Sequence, residues 1–269
     1  MKALKLLCLF AVALVSLSFA ACSDDDDDSS SSSTTTYYAI CKFQSSTTKG
    51  YYFETQDGFI IYPASSSMSE LVSTNGSTSL TNLLNKLVML MYVYDSAGVS
   101  DGTTSISDVE VYSIISMQDD LEIVEYDGAD NDSIADAPII SLSQSSFTPY
   151  FFDDETLVLP INYYIDTYAH YNTLVYYPNE DEDLDDGEVT LYLRHSIGMD
   201  EGASTSSSTT YEYASSYYYY YFIYYRGFNI SDIVSIYEWP TTFNIVYDKS
   251  STLSLSNASS TTYSIEYPY

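Results

Sequence analysis

The stretch YYFETQDGFIIY, residues 51–62, indicates the fold class most directly. It contains two short runs rich in tyrosine, phenylalanine and isoleucine, which are residue types that favour β-strands. Asp57 and Gly58 separate the runs, and this dipeptide suits a two-residue type I′ turn, in which both central residues have positive φ. The stretch therefore predicts a β-hairpin with strands over residues 51–56 and 59–62.

Comparable short runs lie on both sides of the hairpin and are separated by polar turns. The nearly continuous apolar run over residues 87–94 predicts a strand that is buried on both faces. Residues 80–86 suit either a helical turn or an extended loop. About five strands in roughly 90 residues predict a small closed barrel, such as an OB-fold, over residues 37–127. The other strands expected in this region cover residues 37–43, 109–117 and 121–126.

A polar break over residues 127–137 separates this group of strands from a second one and predicts a domain boundary after residue 127. The region 128–269 has about eight short strands with acidic or Ser-rich turns, which predicts a β-sandwich. Residues 229–237 suit a helical turn near a sheet corner. The expected strands cover residues 139–143, 146–152, 156–165, 172–177, 188–195, 216–225, 243–248 and 261–267.

The first residues of the chain have the pattern of a secretory signal. Lys2 and Lys5 precede an apolar run over residues 6–19, and two alanines follow it as a small-residue cleavage site. We therefore expect residues 1–21 to be removed. Cys22 then becomes the first mature residue, so the start resembles a bacterial lipoprotein signal in which this thiol is lipidated. The alternative is that Cys22 is an ordinary residue of an ordinary signal.

A tract of five aspartates follows the cysteine almost at once. It resembles the export tag on surface lipoproteins of Bacteroides-type bacteria, and this resemblance implies an outer-membrane, cell-surface location. Residues 22–36 have no apolar anchor, so they predict a flexible, self-repelling tether. The residues of the export tract are Asp24, Asp25, Asp26, Asp27 and Asp28.

The charge of the chain limits its partners. Lys and Arg number 8 against 38 Asp and Glu, which gives a formal net charge of −30. Nucleic acid is excluded as a partner because phosphate contacts need Lys and Arg. Anionic lipid head groups are repelled as well, so we expect the N-terminal lipid alone to hold the protein to the membrane.

The three cysteines predict no disulfide within the mature chain. Cys8 leaves with the signal and Cys22 carries lipid, so Cys41 remains alone. Its apolar neighbours predict a buried strand position, and a reactive thiol is the alternative.

An acidic segment, DEDLDDGE over residues 181–188, is similar to a calcium-binding loop at first sight. An EF-hand needs glycine at its sixth position and a bidentate acid at its twelfth, but Asp186 and Tyr192 occupy those positions. We expect a solvated acidic turn around Asp186 and Gly187, with weak calcium binding as the alternative. The sequence predicts no metal site and no cofactor.

The two histidines are not expected to be catalytic. His195 has Ser196 beside it, but adjacent residues on a strand point to opposite faces. We expect His195 to make structural hydrogen bonds and Arg194 to pair with surface acids. His170 lies in a Tyr-rich turn and is alone there, and a zinc site needs three or four ligands.

The run SYYYYYFIYY, residues 216–225, offers a candidate binding surface. On a strand, Tyr218, Tyr220 and Tyr224 share one face and could form a platform for a glycan or a protein. The favoured interpretation is a central strand with one buried and one half-exposed face. Trp239, next to Pro240, is expected to be a packing residue.

Several segments together resemble the NigD-like lipoproteins of Bacteroidales, a family named after a candidate bacteriocin immunity protein. The resemblance implies an OB-like domain followed by a β-sandwich and offers no catalytic residues. The matching pieces are the lipoprotein start, Tyr51-Tyr52-Phe53-Glu54, Asp57-Gly58, Tyr62-Pro63, residues 87–95, residues 109–117, Asp132-Ser133-Ile134, Asp136, Pro138-Ile139, Asp186-Gly187-Glu188-Val189 and Leu193-Arg194-His195.

The sequence thus predicts an all-β, non-enzymatic surface lipoprotein that binds a protein or peptide partner, with bacteriocin immunity as the role that the resemblance implies. The alternative is a surface glycan-binding lipoprotein that uses its tyrosine-rich strands. A glycosidase is a distant third, because abundant carboxylates alone do not make a catalytic pair.

Overall fold

A computed structural model describes residues 36–74, 80–94, 102–119, 121–125, 137–143, 147–164, 169–178, 187–198, 221–237, 240–251 and 258–269. The region Thr35–Tyr269 forms one compact unit. The described residues lie mostly in β-strands, as the sequence predicts. Among the described residues, no helix has the length and apolar character needed to cross a membrane.

The first five strands close into a barrel. They are β1 (Thr36–Ser46), β2 (Gly50–Thr55), β3 (Ile60–Pro63), β4 (Leu87–Val93) and β5 (Ser105–Ser116). Their order around the barrel is β1-β2-β3-β5-β4. Apolar side chains alternate along these strands, so one side of each strand fills the barrel interior; Cys41, Phe43, Phe53 and Leu90 are fully buried there. Cys41 is therefore in the buried strand position predicted for it.

The predicted hairpin is present, but its turn is of a different type. β2 and β3 pair antiparallel, with Phe53 opposite Ile61. Thr55 accepts a hydrogen bond from Gly58 N–H and donates its own N–H to Phe59 O, both at 3.0 Å. Gly58 has φ +80, whereas Asp57 is not among the described residues with positive φ. The loop therefore has three residues and ends in a left-handed glycine, and the type I′ prediction is wrong.

Two helical segments complete the barrel region. The 3-10 turn Leu80–Leu83 confirms the helical alternative for residues 80–86. The helix α1 (Ser65–Thr74) was not expected, because its serine-rich sequence gives little helical pattern. It packs Met68 and Leu71 into the barrel core, so tertiary packing stabilises it.

The later strands form two further sheets. They are β6 (Gln118–Asp119), β7 (Leu121–Ile123), β8 (Tyr150–Asp153), β9 (Thr156–Tyr164), β10 (Ala169–Tyr176), β11 (Glu188–Gly198), β12 (Tyr221–Asn229), β13 (Thr242–Lys249) and β14 (Ser259–Glu266). The orders in the two sheets are β14-β13-β11-β10-β7 and β6-β12-β9-β8. Side chains from both sheets share one hydrophobic core, which includes Leu159 of β9, Leu174 of β10 and Phe243 of β13. The helix α2 (Ser231–Ile236) confirms the predicted helical turn.

Strand pairing changes partner directly after β5. β6 pairs with β12 and β7 pairs with β10, both parallel. The expectation that residues 121–126 complete the barrel is therefore wrong, because residues 121–123 pair with β10 of a later sheet. The strand expected over residues 139–143 is reduced to isolated bridges from Ile139 and Ser141. The domain boundary after residue 127 stays a prediction.

Candidate functional site: a histidine and tyrosine cluster and a polar cleft

Most of the residues that the sequence singled out lie outside the described part of the chain. This holds for Cys22, residues 24–28, Tyr218, Tyr220, residues 181–186 and Trp239. Their predicted roles stay predictions.

Tyr224 is described, and its side chain packs against the shared core. Its ring stacks on that of Tyr163, with the centroids 5.0 Å apart and the planes at 19°. Tyr224 is half-buried, which agrees with the favoured interpretation of the tyrosine-rich strand as a packed element. The shared platform with Tyr218 and Tyr220 remains a hypothesis.

The two histidines meet across neighbouring strands. β10 and β11 pair antiparallel with Asn172 opposite His195, so His170 comes close to His195. His170 Nδ1 and His195 Nε2 are 2.9 Å apart, and His195 Nδ1 lies 3.3 Å from Pro138 O. The expectation that His170 is alone is therefore wrong, because strand pairing over a sequence separation of 25 residues brings the two rings together.

Burial determines the chemistry of His195. The side chain is buried, and burial together with the nearby His170 lowers its pKa to about 3. A neutral imidazole has one N–H, so we assign the donor to Nδ1, facing the Pro138 carbonyl, and the acceptor to Nε2, facing His170. Both nitrogens are then engaged within the fold. His195 has no free nitrogen to act as a general base on Ser196, and it agrees with the structural role expected for it.

Tyr163 joins the two histidines to β12. Its ring centroid lies 4.4 Å from that of His195 and 5.0 Å from that of His170. Burial raises the pKa of Tyr163 to about 12, although the Arg226 charge acts in the opposite direction. Arg226 itself pairs with Asp119 at 3.4 Å. At neutral pH His195 and Tyr163 are both uncharged, so these two rings are neutral polar groups of the core.

Arg194 is buried, and its pairing with surface acids stays a prediction. It is 8% exposed, and its guanidinium carbon lies 5.2 Å from the centre of the Tyr192 ring. A cation over an aromatic face is attracted by the ring quadrupole. Arg194 and His195 thus point to opposite faces of β11, as adjacent strand residues must.

A polar cleft of about 600 Å³ lies between residues of the barrel and residues of the later sheets. Ligand pockets commonly have volumes of this order. Sequence reasoning missed the cleft because its residues are scattered along the chain and only folding assembles them. No group of three or more metal-ligating side chains occurs in the described part of the chain. The cleft is lined by Lys42, Gln44, Asn85, Lys86, Gln118, Asp119, Leu121, Ile123, Glu155, Thr156, Asn229 and Asp232.

The cleft is lined by charges of both signs. Lys42 of β1 and Lys86, just before β4, come from the barrel, and Lys42 forms an ion pair with Asp153. Glu155 and Asp232 come from the later part of the chain. The cleft can therefore offer hydrogen bonds and charges of both signs to a polar group.

The fold is similar to that of several solved proteins from Bacteroides species. A candidate lipoprotein from Bacteroides fragilis matches with a TM-score of 0.60 and 19% sequence identity, over 87% of this chain and 98% of that chain. A NigD-like immunity protein from Bacteroides caccae matches with a TM-score of 0.50 and 14% identity, over 84% and 92%. A protein of unknown function from Bacteroides vulgatus matches with a TM-score of 0.50 and 12% identity, over 87% and 92%.

These structural matches show a shared fold. At the level of the fold, the resemblance to NigD-like proteins is confirmed. No family model and no curated protein matches the sequence.

Proposed function

We propose that this protein is a non-enzymatic lipoprotein, anchored at the outer surface of the outer membrane through Cys22, that binds a protein or peptide partner. One observation carries the proposal: a lipoprotein-like start, with Cys22 and its aspartate tract, precedes a fold that a candidate lipoprotein from Bacteroides fragilis also has. The contacts of both His195 ring nitrogens within the fold support a non-enzymatic role. They leave His195 unable to act as a general base on Ser196, and this was the histidine–serine pair for which the sequence raised the possibility of catalysis.

The proposal also includes the type of domain that each group of strands forms. The closed five-stranded barrel, β1 to β5, is an OB-like domain, and the two later sheets, to which β6 and β7 contribute, form a β-sandwich. The shared core of the two sheets supports the sandwich, since sandwiches bury the inner faces of two sheets against each other. The formal charge of −30 supports a protein or peptide partner over nucleic acid, although OB-folds often bind oligonucleotides.

Bacteriocin immunity is the specific role that we propose for partner binding. Its support is the likeness to the NigD-like immunity protein from Bacteroides caccae, which is a likeness of fold. Deleting the protein and challenging the cells with toxins from co-resident strains tests the role. Increased killing by one toxin, reversed by the restored gene, is the expected result; unchanged killing across the panel would contradict immunity.

Metabolic labelling with palmitate tests the anchor. We expect the label to enter the wild-type chain and to be absent from the Cys22→Ser variant, because the lipid is attached at this thiol. Cys41→Ser is the matched control, since Cys41 is buried in the barrel, and it should retain the label. Label in the Cys22→Ser variant, or none in the wild type, would contradict the proposal.

Protease treatment of intact cells tests the surface location. Wild-type protein should be digested from outside. A variant with residues 24–28 changed from Asp to Asn should keep the label and escape digestion, because only the export tract differs.

A further inference from the structure

The last of the described strands lies at one edge of the larger sheet. β14 is the outermost strand in the order β14-β13-β11-β10-β7. It pairs with β13 without interruption from Thr242 opposite Glu266 to Lys249 opposite Ser259. Among the described strands, none pairs with its other side.

The backbone groups that face outward can be identified from one hydrogen bond. Tyr267 donates its N–H to Thr241 O at 2.9 Å, in the same register as the β13–β14 pair. Hydrogen-bonded pairs alternate along an antiparallel ladder, so the odd-numbered residues of β14 bond to β13. The even-numbered residues then direct both N–H and C=O toward the open side. These residues are Ser260, Thr262, Ser264 and Glu266, and all are exposed.

The edge lacks the features that usually protect such strands. Natural edge strands are short, bulged, or carry lysine or proline, since an open edge otherwise pairs with other chains. Ser259–Glu266 contains no lysine and no proline, and its register with β13 has no bulge. Thr, Tyr and Ile within it favour extended backbone. This edge is therefore suited to accept one more strand.

One end of this edge is acidic. Thr242 of β13 lies between Glu266 on β14 and Glu188 on β11, which puts two carboxylates in one row. Tyr267, next along the chain, donates its hydroxyl to Asp154 O at 2.7 Å, and so brings the acidic residues 153–155 near this end. Lys249 lies at the opposite end. A positively charged segment is favoured beside Glu266.

We propose that the open edge of β14 binds an extended, basic peptide segment of the partner as an added strand. The inference rests on the proposed partner-binding function and names the chemistry of the partner. Main-chain hydrogen bonds supply affinity in strand addition, and the carboxylates select for Lys or Arg. A second copy of this chain is disfavoured as the occupant, because each copy carries a formal charge of −30.

Fluorescence anisotropy with full-length protein tests the inference. The probe is a labelled peptide of alternating Thr and Val flanked by lysines, with a glutamate-flanked peptide as the matched probe. Thr262→Pro removes one outward N–H and leaves the β13–β14 ladder intact, because proline is tolerated where the N–H faces solvent. Thr262→Ala is the control that keeps this N–H.

We expect Thr262→Pro to weaken binding of the basic peptide about tenfold, as loss of a hydrogen bond with steric hindrance does, and Thr262→Ala to leave it unchanged. Glu266→Lys should weaken the basic peptide and strengthen the acidic one. Thermal unfolding of each variant checks that the fold is retained. A variant that unfolds is replaced by Ser264→Pro, which removes another outward N–H.

Three results would overturn the inference. The first is that the basic peptide does not bind the wild-type protein, and the second is that it binds the wild type and the proline variants equally. The third is a dimer in sedimentation that Thr262→Pro dissociates, because a second copy of the chain would then be the occupant of the edge. None of these depends on Cys22, so a failed palmitate experiment with retained peptide binding would contradict the anchor alone. If a cellular partner still binds the proline variants, only the assignment of binding to the β14 edge is contradicted, and partner binding itself is not.

Discussion

At the residue scale, His195 shows how the fold fixes a protonation state. The side chain is 2% exposed and its two nitrogens meet His170 and the Pro138 carbonyl. An imidazolium would have two N–H groups, so protonation at Nε2 would place a second donor against His170 Nδ1. Burial and His170 both disfavour the charged form. The neutral ring is therefore part of the native packing with Tyr163.

This protonation state predicts that stability falls on mild acidification. The pKa of His195 is about 3 in the fold and 6.5 when unperturbed, so between these values the unfolded chain binds a proton that the folded chain does not. The free energy of unfolding then decreases as pH falls, by about 1.4 kcal/mol per pH unit once below the unfolded pKa. Urea unfolding at pH values from about 7.5 down to about 5.5 should show this loss.

His195→Gln is the control for that experiment, because glutamine does not titrate. Its overall stability is expected to be lower, but its stability should change less with pH over the same range. An equal pH dependence in the two proteins would show that another group is responsible. The range stops above the region where the many carboxylates begin to protonate.

At the element scale, Gly227 on β12 lets a strand of the barrel approach the later sheets closely. Its N–H donates to Met117 O at 2.7 Å, and a Cβ at this position would lie 2.8 Å from Leu87 Cδ2 and 3.3 Å from Leu87 Cβ. Leu87 is fully buried and packs with Met117, Phe152 and Val158. The absence of a side chain at position 227 is therefore required by this contact.

We predict that Gly227→Ala lowers the free energy of unfolding by about 1–3 kcal/mol, because the buried Leu87 has to move. Leu87→Ala alone should cost about 2–5 kcal/mol by creating a cavity. The double variant should lose less free energy of unfolding than the two single losses added together, by at least about 0.5 kcal/mol. The reason is that the added methyl group at position 227 enters the space vacated by the Leu87 side chain. Strictly additive effects in chemical unfolding would contradict the assigned contact.

The elements that the sequence could predict are those with strong local patterns. The hairpin around Asp57-Gly58 and the apolar strand β4 are examples, because residue type alone favours their backbone. The turn type was missed because Thr55 bonds Phe59 across three residues instead of two. The partner of β7 was missed because parallel pairing with β10 has no local signal. The pairing of His170 with His195 was missed for the same reason, since only the β10–β11 register creates it.

At the scale of the whole molecule, the dominant property is the excess of acids. The formal charge of the chain is −30, so like charges on different parts of the folded chain repel each other. Among the described groups, few ion pairs offset it; Lys42 with Asp153 and Arg226 with Asp119 are examples. Both pairs join strands from different parts of the chain.

This self-repulsion predicts that salt stabilises the fold. Raising NaCl from about 0.01 M to about 1 M shortens the screening length from about 30 Å to about 3 Å. Repulsion among acids that are distant in the fold is then removed, while close ion pairs lose less, so the melting temperature at pH 7 should rise. The matched measurement is the same salt series near pH 4, close to the sequence pI of about 4.1. There the net charge is small, and the rise should largely disappear. An equal rise at both pH values would assign the effect to salt acting on apolar burial, and a fall at pH 7 would mean that the ion pairs outweigh the repulsion.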